Sequence, residues 1–149
     1  MAVHGYNDIQ QQIDALNKKF EAKMKNADKD CLKFVTMSCA KVEQTCKQIM
    51  RDTVTNPNVT YGKRGHHPSM AGNPPAPDSG TLLQSVTHSL DTEGDSKVVG
   101  YVGSILKNPD YPRFLEYGTS TMRPRPWLST ALTKCHDYMQ KLKQEIFGK

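Results

Sequence analysis

Long apolar runs are missing from this sequence. No stretch approaches the ~18 consecutive apolar residues that a bilayer-spanning helix requires. Met1 to Gln12 lacks the apolar stretch of a secretory signal, so the chain is expected to stay in the cytoplasm where it is made. Apolar residues are few altogether: the hydrophobic share is 36% and the mean hydropathy is -0.65, against the ~45–50% usual when Gly is also counted. With 149 residues the chain fits a single domain. Its polarity points to extended parts or protein interfaces beside a modest core.

Clustered cysteines are absent as well. Cys31, Cys39, Cys46 and Cys135 form no Cys-x-x-Cys clip and no compact disulfide framework, so buried reduced thiols are expected. The catalytic signatures Gly-x-Ser-x-Gly, His-Glu-x-x-His, Walker A and Gly-x-Gly-x-x-Gly do not occur. No catalytic residue and no cofactor is therefore expected. His66 and His67 are adjacent, point apart in an extended chain and have no Cys or carboxylate at ligand spacing, which argues against a metal site. Asp91, Glu93 and Asp95 alternate as in a Ca²⁺ loop, but no bidentate Glu follows at the required spacing, so a solvated hairpin tip is expected. The net charge of +5 is mild, and a dedicated DNA-binding domain shows a denser basic stripe.

What the chain does have is periodicity. Ile9, Ile13, Leu16, Phe20, Met24, Ala27, Cys31, Val35, Cys39, Val42, Cys46 and Ile49 recur at steps of three or four, and no Pro or Gly interrupts residues 6–54. That is one stripe on a helix. Such a helix, ~70 Å long at ~1.5 Å per residue, exceeds what a globule of this size can cover, so it either breaks or projects. A break is expected at Asn26 to Asp30, where weak helix formers cluster. The stripe serves core packing or packing against a neighbouring copy. Its average step, above 3.5, argues against a sustained two-stranded coiled coil.

Residues 55–80 carry five prolines and four glycines and read as an extended loop, expected to be an arm that orders on contact. Its middle, with Tyr61, Lys63, Arg64, His66 and His67, is either a solvated tip or a phosphate contact. Val86 to Leu90 and Lys97 to Val102 read as two strands of a β-hairpin with its turn at Asp91 to Ser96. Arg113 to Tyr117 reads as a single helical turn or short bridge. From Trp127 a second helical pattern runs through Leu128, Ala131, Leu132, Cys135, Tyr138, Met139, Leu142 and Ile146, with Pro124 and Pro126 ahead of it and Gly148 beyond. The predicted class is α+β: a 6–54 helical arm, the 55–80 loop, then a hairpin or small antiparallel sheet and a C-terminal helix in 81–149.

Two segments are more specific. Ala76-Pro-Asp-Ser-Gly-Thr-Leu-Leu-Gln-Ser85 sets a capping Asp and a Gly suited to positive φ just before the first strand. Phe114 to Leu132 joins an aromatic-acidic turn, Phe114-Leu-Glu-Tyr-Gly-Thr, to a Pro-started helix. Glu116 is expected to pair with Arg123 or Arg125, within one copy or across to the next, unless it is an ordinary surface Glu. Trp127, the only tryptophan, is expected to anchor the core against the hairpin or to serve as an interface hot spot. Arg123 and Arg125 alternate in extended chain and so should point the same way, toward a partner's carboxylates or passing DNA.

Together these segments resemble the neck or tail-completion (head-tail joining) morphogenesis proteins of long-tailed bacteriophages. Asp78, Gly80, Leu82 and Ser85 match that family's first block, with Ser79 for the usual Thr and Val86 for Ile. Glu116, Tyr117, Gly118 and Thr119 match the second, and Pro126, Trp127, Leu128, Ala131 and Leu132 the third, with Trp127 for a commoner Phe. The resemblance covers roughly residues 76–132. It implies a structural virion protein without enzymatic activity, forming a homo-oligomeric ring, with six copies the leading expectation, at the head-tail junction. Implied partners are the adaptor or stopper ring, tail-terminator or tail-tube proteins, and genomic DNA passing through the lumen without sequence-specific binding. Lys63, Arg64, Arg123 and Arg125 would face that DNA. A tail terminator and a sequence-independent DNA-binding protein are the alternative readings.

Overall fold

A computed structural model describes residues 4–63, 65–93, 97–108 and 110–148. The fold is α+β, with elements in the order α1 (His4–Arg51), α2 (Thr81–Ser85), β1 (Val86–Glu93), β2 (Lys97–Ser104), α3 (Asp110–Tyr117) and α4 (Leu128–Phe147). The expected break at Asn26 to Asp30 does not occur: α1 is one helix of 48 residues, ~72 Å long. Asn and Asp cost at most ~0.7 kcal/mol each inside a helix, too little to stop one that good helix formers propagate on both sides. The helix projects instead. Every described side chain from Gln11 to Ala27 is exposed, whereas Ser38, Cys39, Val42, Cys46, Ile49 and Met50 are buried.

The buried half of α1 is the spine of the core. α4 packs along it antiparallel, tied by an edge-on Phe34–Phe147 ring pair at 5.7 Å, by Lys41 Nζ over the Tyr138 ring at 5.4 Å, and by the Cys135 thiol donating to Thr45 Oγ1 at 3.2 Å. Val42, Cys46, Ile49 and Met50 meet Leu82, Val86, Leu115, Trp127, Ala131 and Cys135 in one cluster. Burial first, then the neighbouring Cys135 and the Glu116 and Glu43 carboxylates, push the Cys46 thiol up to about 12. Cys39, Cys46 and Cys135 are buried and free, but Cys31 is exposed, a correction to the expectation for all four. It lies on the helix just before the core begins.

The hairpin pairs β1 and β2 antiparallel, from Val86↔Ser104 to Glu93↔Lys97. The strands thus extend further than their apolar runs, and Asp91 and Glu93 belong to β1; Asp95 lies outside the described residues. The hairpin lies on α1 through Gly100, where a Cβ would collide with Cys39 Sγ and come within 2.8 Å of Val35 Cγ1. His88 Nδ1 and Lys47 Nζ both reach the Glu43 carboxylate at 2.5 Å. Lys47 foremost, then His88, holds that carboxyl below its ordinary range despite burial.

The 55–80 loop is no free arm. Antiparallel bridges Thr55↔Ser69 and Tyr61↔His66 fold it back on itself, with Asn56 N–H donating to Pro68 O at 2.7 Å. Pro68, Ser69 and Pro75 are buried, and Gly72 N–H donates to Pro124 O at 3.0 Å. Short backbone contacts of this kind satisfy loop amides that a detached arm would leave to water. Arg113 to Tyr117 is also more than a single turn, because the helix starts at Asp110, where Asn108 Oδ1 accepts the Asp110 amide at 3.2 Å.

Candidate functional site

The segment from Phe114 to Ser129 is a closed hydrogen-bonded unit. α4 starts after Trp127, a residue with no side-chain acceptor to cap a helix, and Pro126 precedes it. The first amides of any helix lack intrahelical partners. Here Glu116 supplies them: Oε2 accepts from Trp127 N–H at 2.8 Å and Leu128 N–H at 2.9 Å, and Oε1 from Ser129 N–H at 3.0 Å. A carboxylate at a helix N-terminus also meets the positive end of the helix dipole. Burial acts to raise the Glu116 carboxyl, but hydrogen bonds from the Ser129 side chain and these backbone amides hold it below the ordinary carboxylate range. The expected arginine partner is thus replaced by backbone. Eleven to thirteen residues separate donor from acceptor, so pairing depends on the chain reversal between α3 and α4.

That reversal requires the residues that follow Glu116. Gly118 has φ 78°, and a Cβ there would lie 2.7 Å from Met122 O and 2.9 Å from Pro124 Cδ. Thr119 Oγ1 accepts from Met122 N–H at 3.0 Å and Thr121 N–H at 3.3 Å, while Thr119 N–H donates to Met122 O at 2.8 Å. Arg125 N–H then donates to Leu115 O at 2.7 Å. Trp127, 3% exposed, takes the core role, its Nε1 donating to Pro112 O at 3.2 Å. Leu128 is half-buried, Ala131 is buried, Leu132 is exposed and Pro126 is half-buried.

The first block packs into the same core. Gly80, φ 78°, precedes α2 with no side-chain cap, so Asp78 does not cap as expected. It faces His66 instead, Nδ1 to Oδ1 3.7 Å. Leu82 is buried, and the buried Ser85 hydroxyl donates to Leu82 O at 2.7 Å and lies 2.7 Å from Ser104 Oγ. Asp78, Gly80 and Leu82 line a cavity of about 150 Å³ with Met50 and Tyr111, smaller than the ~300 Å³ at which small-molecule sites begin. Burial, then Asp78, raises the Tyr111 hydroxyl against the opposing Arg125 guanidinium.

The four expected basic contacts separate. Lys63 and Arg123 are exposed, and Arg64 lies outside the described residues. Arg125 does not point with Arg123: it is half-buried, with Nη1 3.5 Å from Ser69 Oγ and a buried Nε that has no hydrogen-bond partner. On the outer face of α3 the motif residue Tyr117 is 76% exposed, and beside it stand Tyr111 and Phe114, 49% and 44% exposed, with Arg113; these three were not among the site residues read from the sequence. Alternating aromatic and charged residues over 110–117 were the available signal. Among the described residues no three His, Cys, Asp or Glu side chains converge as a metal site, and no helix is long and apolar enough to cross a membrane. Comparison with known proteins finds no matching family model, no matching curated protein and no matching solved structure.

Proposed function

We propose that this chain is a structural protein of the bacteriophage head-tail junction, a neck or tail-completion subunit whose work is assembly rather than catalysis. The reading rests on the three motif blocks between Ala76 and Leu132, which resemble that family in order and spacing. Their geometry supports treating them as a unit. Glu116, Gly118 and Thr119 close one turn onto the start of α4, while Leu82, Ala131 and Trp127 share one core. Such a unit holds together a body from which surfaces project. The exposed aromatic face of α3 and the protruding half of α1 are the surfaces offered to neighbours. In this reading copies close into a ring, six copies being the starting expectation. The ring contacts the adaptor or stopper and the tail-terminator or tail-tube proteins and passes DNA through its lumen.

A stop codon early in the gene of the encoding phage tests the reading. Filled heads beside free tails of normal length are the expected products by electron microscopy. Tails of irregular length would reassign the chain to tail termination, and intact infectious particles would overturn the virion role. Sequence-independent DNA binding is less well supported, since Arg125 is half-buried beside Ser69 rather than exposed with Arg123.

A further inference from the structure

The projecting half of α1 carries a stripe that no described part of the chain covers. Ile13, Leu16, Phe20 and Met24 are 45%, 67%, 65% and 47% exposed, and Ala27 and Cys31 continue the line toward the body. Steps from residue 13 to residue 31 average about 3.6 residues, the period of the helix itself, so the stripe runs straight along the axis and suits a short straight contact rather than a sustained supercoiled pair. Helices in proteins owe most of their stability to packing of an apolar face. A 48-residue helix that is bare over residues 11–27 lacks that support there on its own.

The residues beside the stripe say what covers it. At ~100° per residue, Glu21 and Asp28 lie on one flank of the stripe, with Lys25 about 40° further round from Glu21. Lys19 and Lys23 lie on the opposite flank, which holds no Asp or Glu until Asp30, at the approach to the body. Lys18 and Lys29 sit on the far side. An apolar seam with one acidic and one basic flank complements itself in a single orientation. Two parallel copies set the acidic flank of each against the basic flank of the other, whereas two antiparallel copies set like charge against like.

We infer that the projecting half of α1 is a self-association surface that takes the same segment of a second copy, parallel and in register. Parallel packing places both bodies at the same end, and the contact, made by the same segment on both sides, closes at two copies. The inference goes beyond the head-tail reading and does not depend on it.

Single cysteines in the full-length chain test it, in a Cys31→Ser background that leaves only buried thiols. Ile13→Cys and Met24→Cys chains are oxidised separately and as a mixture. Both sites are exposed, so neither change touches the core. Parallel pairing gives a covalent dimer, twice the 16.7 kDa chain mass, from each variant alone. Cross-linking only in the mixture would mean antiparallel packing, and no cross-link from a chain that sediments as a monomer would mean no pairing; either overturns the inference. Joint reversal of Glu21→Lys and Asp28→Lys should reduce the cross-linked fraction several-fold. Adding Lys19→Glu and Lys23→Glu to that chain should restore it, and an unchanged fraction in both would overturn the charge argument. Robust cross-linking in a chain absent from virions would reject the head-tail reading alone.

Discussion

Glu116 decides how the second half of the chain closes. Its carboxylate takes the place of an N-cap that Trp127 cannot supply, and caps are worth about 0.5–2 kcal/mol. Glu116→Gln should therefore lower stability by about 1–2 kcal/mol at neutral pH, read from urea unfolding. The pH dependence has a definite sign. The folded carboxyl lies below its unfolded value, so its contribution is present above the unfolded pKa and is lost as pH falls through the folded one. The difference between wild type and Glu116→Gln should thus shrink in acid, and a constant difference down to pH 2 would rule out the carboxylate as the cap. Gly118 is constrained in a different way, by a left-handed backbone and by Met122 O at 2.7 Å from any added Cβ. Gly118→Ala should cost about 1–3 kcal/mol. Gly103→Ala, where a Cβ meets nothing within 4 Å, should change stability by no more than about 0.5 kcal/mol.

Helix α1 serves two purposes along its length, a packed spine from Phe34 to Met50 and a bare stretch from Gln11 to Ala27. The hairpin can lie on the spine because Gly100 leaves room for Cys39 and Val35. Gly100→Ala should overpack this seam and cost about 1–3 kcal/mol in thermal or urea unfolding. Cys39→Ala in the same chain should recover part of the loss; full stability in Gly100→Ala alone would show that the hairpin yields freely. Both long helices, the hairpin and its two strands were legible from periodicity, since a stripe at steps of three or four and β-branched runs report local preference directly. The continuity of α1 through Asn26 to Asp30 was not, because a few weak formers look like a break until their small cost is set against propagation. The folded loop was not legible either. Its anchors, Ser69 and Gly72, meet Arg125 and Pro124 more than fifty residues away. The Glu116 cap belongs to the same class, although a helix starting at Trp-Leu-Ser with no capping side chain was a readable sign that its acceptor came from elsewhere.

At the scale of the whole molecule, the low apolar content is explained by form. One small core gathers the second half of α1, the hairpin, α3 and α4, and the remaining length of α1 stands clear of it. A chain built this way invests its residues in reach and in surfaces. The motif residues on which the proposed tail-completion reading rests mostly hold the body together: Leu82, Ser85, Trp127 and Ala131 are buried, and Glu116, Gly118 and Thr119 tie the turn. Tyr117 and Leu132 remain exposed among them. Residues that contact neighbours thus need not be those that carry the resemblance, and the bare surfaces of α1 and α3 are where partner contact is expected. Gold-labelled antibody against this chain, applied to purified virions and viewed by electron microscopy, tests the assignment most directly. The account predicts label confined to the junction between head and tail; label spread along the tail, or none on any particle, would contradict it.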